Sequence, residues 1–347
     1  MATSTPQSAL SFPRETFARL SPHPYLLANL QPSITANTPP TRANGRLPNQ
    51  FRTPHINNGS LTHAEGSAVV RIGDTTVVCG VRGEILAAKD VGGYRLDKVK
   101  ASEKTGYNEA KELDLLVPNI ELQTGCSPSF LPGQPPSTLA QSLSTRIYTL
   151  LHESRFVDGE DLRIWYTPPD MRDTDRMQEA DEEDETQAPQ AEVKAFWTLY
   201  IDMLFISLDG NAFDAAWAAV VSALRDVRLP KAYWDADREM ILCDDAISSS
   251  KRLNLRGLPV ATTALLFREK ELGGVREKKQ WLLVDPDAFE EGLCDEGVTV
   301  VVDKSEGKTQ LMGITKNGGT VIDQKEIREV LQLGEERWNT MNQILKT

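Results

Sequence analysis

Cysteine is scarce in this chain. Four occur in 347 residues, Cys79, Cys126, Cys243 and Cys294, with no CxxC pair and no Cys/His cluster. That spacing argues against a zinc site and against a disulfide framework, and leaves reduced, buried thiols as the expectation. Histidine is equally rare, at four residues. His55 and His63 fall in strand-edge sequence without a paired nucleophile, so a polar-edge role is expected for both. No apolar run approaches the ~20 residues of a membrane span, and no charged-then-apolar leader opens the chain. A soluble intracellular protein without a membrane partner is expected. Positive charge is also in deficit, with 38 Lys and Arg against 50 Asp and Glu, a net charge of −12. This argues against a free nucleic-acid-binding module, as does the lack of an aromatic stacking motif. The deficit is unevenly spread. Asp170 to Glu192 holds ten acidic residues and two arginines, so most of the net charge lies in one stretch. Its density of charge and few apolar residues predict a disordered acidic insertion over 170–193, either a solvated loop or a partner-binding segment.

What is present is a hydrophobic content of 40%, enough for one large domain or two coupled ones. Its clearest unit is Phe196 to Leu229. Trp197 to Leu208 is almost continuously apolar and suits a strand buried on both faces. Asp209-Gly210-Asn211 breaks the run with turn chemistry, and Asn211 with Asp214 reads as an N-cap pair. Phe213, Trp217, Val220, Val221 and Leu224 then repeat at helical spacing, with Arg225 and Arg228 placed for the last turn. A turn opening a helix is a place where backbone N–H groups can hold a phosphate.

Around this unit, Phe17 to Leu30 is broken by Pro22 and Pro24 and reads as one or two short docking helices. Ser67 to Ile72 and Thr75 to Gly83 flank Gly73-Asp74 as a hairpin. Glu84 to Lys111 reads as an irregular loop or edge. Leu113 to Leu122 is a strand that Pro118 demotes to an edge or bulge position. Ser137 to Ser154 has the stripe of an amphipathic helix, and Leu162 to Tyr166 begins another strand. Tyr233 to Asn254 reads as a charged connection. Val260 to Phe267 and Trp281 to Val284 read as paired strands, Val298 to Val302 and Gln310 to Ile314 as two more, and Gln324 to Leu345 as a terminal helix. The fold class is α+β with a mixed sheet. The division expected is an N-terminal docking segment at 1–37, a first half at 38–229 and a second half with the terminal helix at 230–347.

Five stretches, in order, resemble the RNase PH family. Arg42-Ala43-Asn44-Gly45-Arg46 with Phe51-Arg52 is similar to the family's N-terminal R-x-D/N-G-R and F-R. Gly59 to Val81 resembles its opening hairpin, and VPNIEL, CSP and AQ lie within Leu116 to Gln141. DGNAFDAA at Leu208 to Ala216 and VDPDAFEE at Val284 to Glu291 complete the set. The last two have the form seen in exosome ring subunits that resemble the non-catalytic archaeal paralogue. The resemblance implies an RNase PH-like fold, of the ribosomal protein S5 domain 2 type, in two βαβα-type halves.

It also implies a reaction to test for: phosphorolysis of RNA from its 3′ end, which needs donors for the attacking phosphate and a carboxylate pair. In active members the turn reads D-x-G-T-R. Here Ala212 and Phe213 stand where Thr and Arg would be, and neither side chain can donate a hydrogen bond. The two aspartates, six residues apart in active members, map to Glu291 and Gly297, with Asp295 two positions from the latter. Glu290 and Glu291 read as a solvated acidic turn. No catalysis by this chain alone, no metal and no cofactor are expected. The implied role is a structural subunit of the hexameric exosome ring, paired with other RNase PH-like subunits, capped by S1/KH-type proteins and threaded by RNA. Lys98, Lys100 and Lys104 are candidates to face RNA phosphates, or ordinary solvated lysines. The alternative is a phosphorolytic exoribonuclease whose site is shared with a neighbouring subunit. The implied location is nucleus and nucleolus, and also cytoplasm.

Overall fold

The computed structural model describes residues 13–31, 39–92, 109–168, 191–269, 279–319 and 321–346. Its spine is strand β6, Glu192–Ser207. One side of β6 takes β3 (Thr75–Ala87) in antiparallel register. The other takes β4 (Leu116–Leu122) in parallel and, nearer its start, β5 (Arg163–Tyr166) in antiparallel register. β2 (Gly66–Ile72) continues from β3, and β1 (Pro54–Asn58) closes the far edge. Pro118 does sit on an edge strand, since β4 ends the order β1-β2-β3-β6-β4. Across β4 lies α3, Thr138–Glu153, with Leu143, Ile147 and Leu151 turned inward and Ser137 capping Ala140 N. The stripe differs at Leu139, which is 39% exposed.

β6 is longer than the sequence suggests. It begins at Glu192, where Tyr166 and Trp165 of β5 supply partners for Glu192 and Val193, and Val193 is buried. The expected insertion over 170–193 is therefore too long at its end, and its remainder up to residue 190 lies outside the described residues. The loop expected from Glu84 likewise gives way to the last residues of β3.

The helix after β6, α4, spans Ala212–Asp226 and is buried without a break from Ala212 to Leu224. One apolar stripe was expected. The helix instead lies between two sheets, against β2 and β3 on one side and β11 on the other, and a helix covered all round is apolar or small all round. Ala215, Ala216, Ala218, Ala219 and Ala223 keep it slim. Gly66 answers from β2, where a Cβ would lie 2.6 Å from Val227 Cγ2 and 2.7 Å from Ala223 O. Arg228 leaves the helix for β7 (Arg228–Leu229), which pairs with β10 (Lys251–Arg252).

The second sheet is antiparallel, in the order β12-β11-β13-β14. It contains β11 (Val260–Arg268), β12 (Gln280–Val284), β13 (Gly297–Asp303) and β14 (Gln310–Asn317). The terminal helix α6, Gln324–Ile344, packs on β11 and β13. Two indoles fix the segment between the halves: Trp217 Nε1 donates to Pro259 O and Trp338 Nε1 to Leu258 O, each at 2.9 Å. At the N-terminus, α1 (Arg14–Leu20) and α2 (Pro22–Leu30) are separate helices, and Leu26 and Leu30 rest on Phe267 and Leu283.

The charged connection at Tyr233 contains a hairpin, β8 (Ala232–Asp235) with β9 (Met240–Cys243). Its charged residues form the turn, where Asp235 Oδ1 accepts from Asp237 N and Arg238 N. A side chain that bonds its own backbone in this way favours a turn over a strand, which hid the hairpin in the sequence.

Candidate functional site

The turn Asp209-Gly210-Asn211 leads from β6 into α4 and carries two left-handed residues, Gly210 at φ +70° and Asn211 at φ +52°. Gly210 is required by contact as well as by conformation. A Cβ there would come 2.4 Å from the carbonyl carbon of Asp287 and 2.7 Å from Ala288 N. The segment after β12 thus lies directly over the turn. Asn211 occupies the N-cap position, but its side chain does not cap α4. Its Nδ2 donates to Asp214 Oδ2 at 2.9 Å and to Asp285 Oδ1 at 2.7 Å. The expected cap pair is really a bridge between the halves, because Asp214 is turned away to accept from Thr263 N and Oγ1, each at 2.8 Å. Burial raises Asp214 above the usual carboxylate range, against those bonds.

The backbone amide of Asn211, one of the donors at the start of α4, is occupied. It donates to Glu291 Oε1 at 2.8 Å. Glu291 belongs to the one-turn helix α5 (Ala288–Glu291), which a reciprocal Asp287/Glu290 capping box starts. The residue as a whole is exposed, but its carboxylate end is turned into the protein, where desolvation raises it and the Asn211 bond lowers it. Ala288 N donates in turn to Asp209 Oδ1 at 3.3 Å. Ala212 and Phe213 are 8% and 6% exposed. The Phe213 ring lies under the guanidinium of Arg146, which comes from α3 at 3.9 Å from the centroid. Arg146 Nη2 also donates to Thr299 Oγ1 at 3.2 Å.

Glu290 corrects the sequence reading of a solvated acidic turn. It is fully buried, with Oε2 3.5 Å from Nη1 of Arg42, itself fully buried. Burial is the larger influence on both partners and opposes charge on each. It lowers Arg42 to about 10 and raises Glu290, and each partner's charge offsets part of the shift in the other. Arg42 also donates to the carbonyls of Pro48 and Val284. Asn44 Nδ2 reaches Asp287 Oδ2 at 2.8 Å, and Arg46 Nη1 the carbonyl of Asp285 at 3.0 Å. Arg52 grips Asp285 with Nε at 3.1 Å and Nη2 at 2.8 Å, and its Nη1 donates to Asp209 O at 2.9 Å. Burial alone would raise Asp285, but the Arg52 bonds hold it below the usual carboxylate range. Arg337 of α6 completes the group by donating to Arg52 O at 2.9 Å. The stretches 42–52 and 284–291, far apart in sequence, are therefore the two sides of one buried ionic joint.

Glu291 thus faces the turn as an acceptor for its backbone amide. Gly297 begins β13 opposite Leu265, where a Cβ would sit 3.0 Å from Leu265 Cδ2. It brings no group to the turn, and Asp295 is exposed in the loop before it. Arg146, Arg337 and Thr263 were not singled out from sequence. Each sits in an ordinary amphipathic or strand pattern, and only packing brings it here. Lys98, Lys100 and Lys104 lie outside the described residues. His55 is an exposed residue of the edge strand β1. Chemically, the arrangement can clamp two sheets together. The guanidinium groups named are committed to carboxylates, carbonyls, a hydroxyl or a ring of the same chain.

Comparison with known proteins places this geometry. The chain matches the 3′ exoribonuclease family, RNase PH, in domain 1 over residues 50–230 and in domain 2 over residues 257–337. It is 29% identical over 338 residues to the exosome complex component rrp43 of Schizosaccharomyces pombe, covering 97% of this chain and 100% of that protein. It is 26% identical over 284 residues to the exosome complex component Rrp42 of Methanothermobacter thermautotrophicus, covering 82% and 78%. Among solved structures it is similar to the Archaeoglobus fulgidus exosome with RNA bound to the active site, with a TM-score of 0.61 and 25% identity over 92% of this chain and 96% of that one. The archaeal exosome core shares the fold at a TM-score of 0.59 and 22% identity, over 97% and 100%.

Proposed function

The chain belongs to the RNase PH family of 3′ exoribonucleases, and on that premise we propose that it is an exosome ring subunit that shapes the RNA path without cutting RNA. One observation carries the non-catalytic half of this reading. The Asn211 amide, in the turn that opens α4, donates to Glu291 of the same chain. A second anion at that position would meet the Glu291 carboxylate at close range, and like charges so near repel. With Ala212 and Phe213 beside it, the turn offers no side-chain donor in place of the lost amide.

The ring half rests on the relatives and on the sheet edges. β14 is an edge strand exposed along most of its length, with Leu311 and Ile314 at 49% and 48% exposure. An edge of that kind invites pairing with another chain. The partners proposed are RNase PH-like subunits beside it, S1/KH-type proteins on one face and RNA in the pore, in nucleus, nucleolus and cytoplasm.

Two measurements test this. Native mass spectrometry of the chain with its co-purifying proteins should give a hetero-oligomer, and a monodisperse monomer at micromolar concentration contradicts it. Incubation of the purified chain with RNA and orthophosphate should release no nucleoside diphosphate. Phosphate-dependent release that Glu291→Ala abolishes would overturn the non-catalytic reading.

A further inference from the structure

A pocket of different character lies near the start of β6, roughly 40 Å from the turn at about 3.3 Å per strand residue. Trp197 and Leu229 lie at its base and Trp165 of β5 at its side. Gly83 of β3 makes room for this base, since a Cβ there would come 3.1 Å from Trp197 Cε3 and 3.2 Å from Leu229 Cδ2. The charged lining is Arg163, Lys231, Lys251 and Arg252 against one carboxylate, Asp161. In a chain of net charge −12 this is a local reversal of sign.

These four cations are not equally free. Arg163 is held by Glu109, at 2.7 Å and 2.9 Å, and by Glu160. Its guanidinium carbon lies 5.7 Å from the centroid of the Trp165 ring, whose residue is still 37% exposed. Lys251 Nζ is 2.6 Å from Asp161 Oδ1, with its side chain 65% exposed. Lys231 and Arg252 are exposed. The Ala246 N–H and Ser249 bonds, and after them the charge of nearby Lys231, hold the Asp244 carboxylate below its ordinary value. The pocket therefore offers an aromatic plane with two exposed cations nearby.

We propose that this pocket binds a nucleotide, with the base against Trp165 and the phosphate between Lys231 and Arg252, either as a free mononucleotide or as one unit of single-stranded RNA. Any base has a flat face that an aromatic side chain can stack on, so the site would be tolerant of sequence. The phosphate contribution would be electrostatic and would weaken as salt rises. An acidic peptide would satisfy the cations but has no ring for the indole, which is why a nucleotide is favoured. The site is separate from the Asn211 turn, and the ring reading does not depend on it.

The test is calorimetric titration of the full chain, with its co-purifying subunits, against AMP, a short oligoadenylate, orthophosphate and a glutamate-rich peptide. The expected result is that AMP and oligoadenylate bind, with orthophosphate and the peptide at least about tenfold weaker. Trp165→Ala, and separately Lys231→Glu with Arg252→Glu, should each weaken AMP binding about tenfold or more, with unchanged circular dichroism and an unchanged oligomer by native mass spectrometry. Equal affinity for AMP and oligoadenylate would assign a mononucleotide site. Tighter binding of oligoadenylate that both variants reduce would assign an RNA strand. Absence of AMP and oligoadenylate binding, affinities unaltered in both variants, or a peptide that binds more tightly than AMP would each overturn the proposal. None of these outcomes would alter the oligomer that tests the ring reading.

Discussion

Glu290→Ala should destabilise the chain far more than a change in an exposed acidic turn. Wild-type Glu290 and Arg42 are both fully buried, 3.5 Å apart. Removing the acid leaves a guanidinium charge in the protein interior without its counter-charge. Breaking a buried pair from one side costs about 3–5 kcal/mol. Arg42 would keep its bonds to the carbonyls of Pro48 and Val284, which places the expectation near ~3 kcal/mol. At about 2.1 cal/mol/K of unfolding entropy per residue, a chain of 347 residues loses about 1.4 °C in Tm per kcal/mol, so a fall of roughly 4 °C is expected. The control is the double variant Arg42→Met with Glu290→Leu, which removes both charges and should recover most of the loss. Differential scanning calorimetry of the two variants and wild type, in the same oligomeric form, reads the effect directly. A solvated turn would shift stability by only about ±0.5 kcal/mol. A fall in Tm below ~2 °C for the single variant, or a double variant no better than the single one, would refute the buried joint.

Three further outcomes follow from the same geometry. Gly210→Ala should destabilise by at least ~2 kcal/mol, since it combines an unfavourable left-handed φ with a clash against the Asp287 backbone; urea denaturation within ~0.5 kcal/mol of wild type would contradict this. Asp285 is held below its ordinary value of 3.8, so its contribution is present above that pH and is lost as pH falls through the lower, folded-state value. Asp285→Asn should therefore be less stable than wild type near neutrality, with the gap closing in acid, and a gap independent of pH would contradict the assignment. Ala212→Thr with Phe213→Arg, which restores the Thr and Arg of the D-x-G-T-R turn, should lower Tm and yield no phosphorolysis. The new arginine would displace a buried ring and lie close to Arg146, and Glu291 would still hold the Asn211 amide. Recovery of nucleoside diphosphate release in that variant would show that the side chains alone had disabled the turn.

Local pattern was enough to read the elements that bury a recognisable face. The β2–β3 hairpin, the strand–turn–helix at β6 and α4, the paired β11 and β12, and α6 all follow from apolar spacing and turn chemistry. Elements whose character comes from neighbours were not legible. β1 has the sequence Pro54-His55-Ile56-Asn57-Asn58, poor in strand formers, and is a strand because β2 pairs with it. α4 shows an amphipathic stripe in sequence, yet its opposite face is also covered because a second sheet closes over it. At the site, that Ala212, Phe213 and Gly297 carry no side-chain donor or carboxylate could be read residue by residue. The fate of the acids could not, since nothing local to Glu290 and Glu291 reveals that Arg42 and the Asn211 amide await them from other parts of the chain. The motifs that marked the family were visible as letters, and their shared physical role in one ionic joint emerged only from the fold.

The most direct measurement is a crystal of the protein soaked in orthophosphate, inspected at the Asn211 amide. Glu291 Oε1 is expected still seated on that N–H, with no phosphate at the start of α4. A phosphate bound to the Asn211 amide, with the Glu291 side chain swung away, would contradict it.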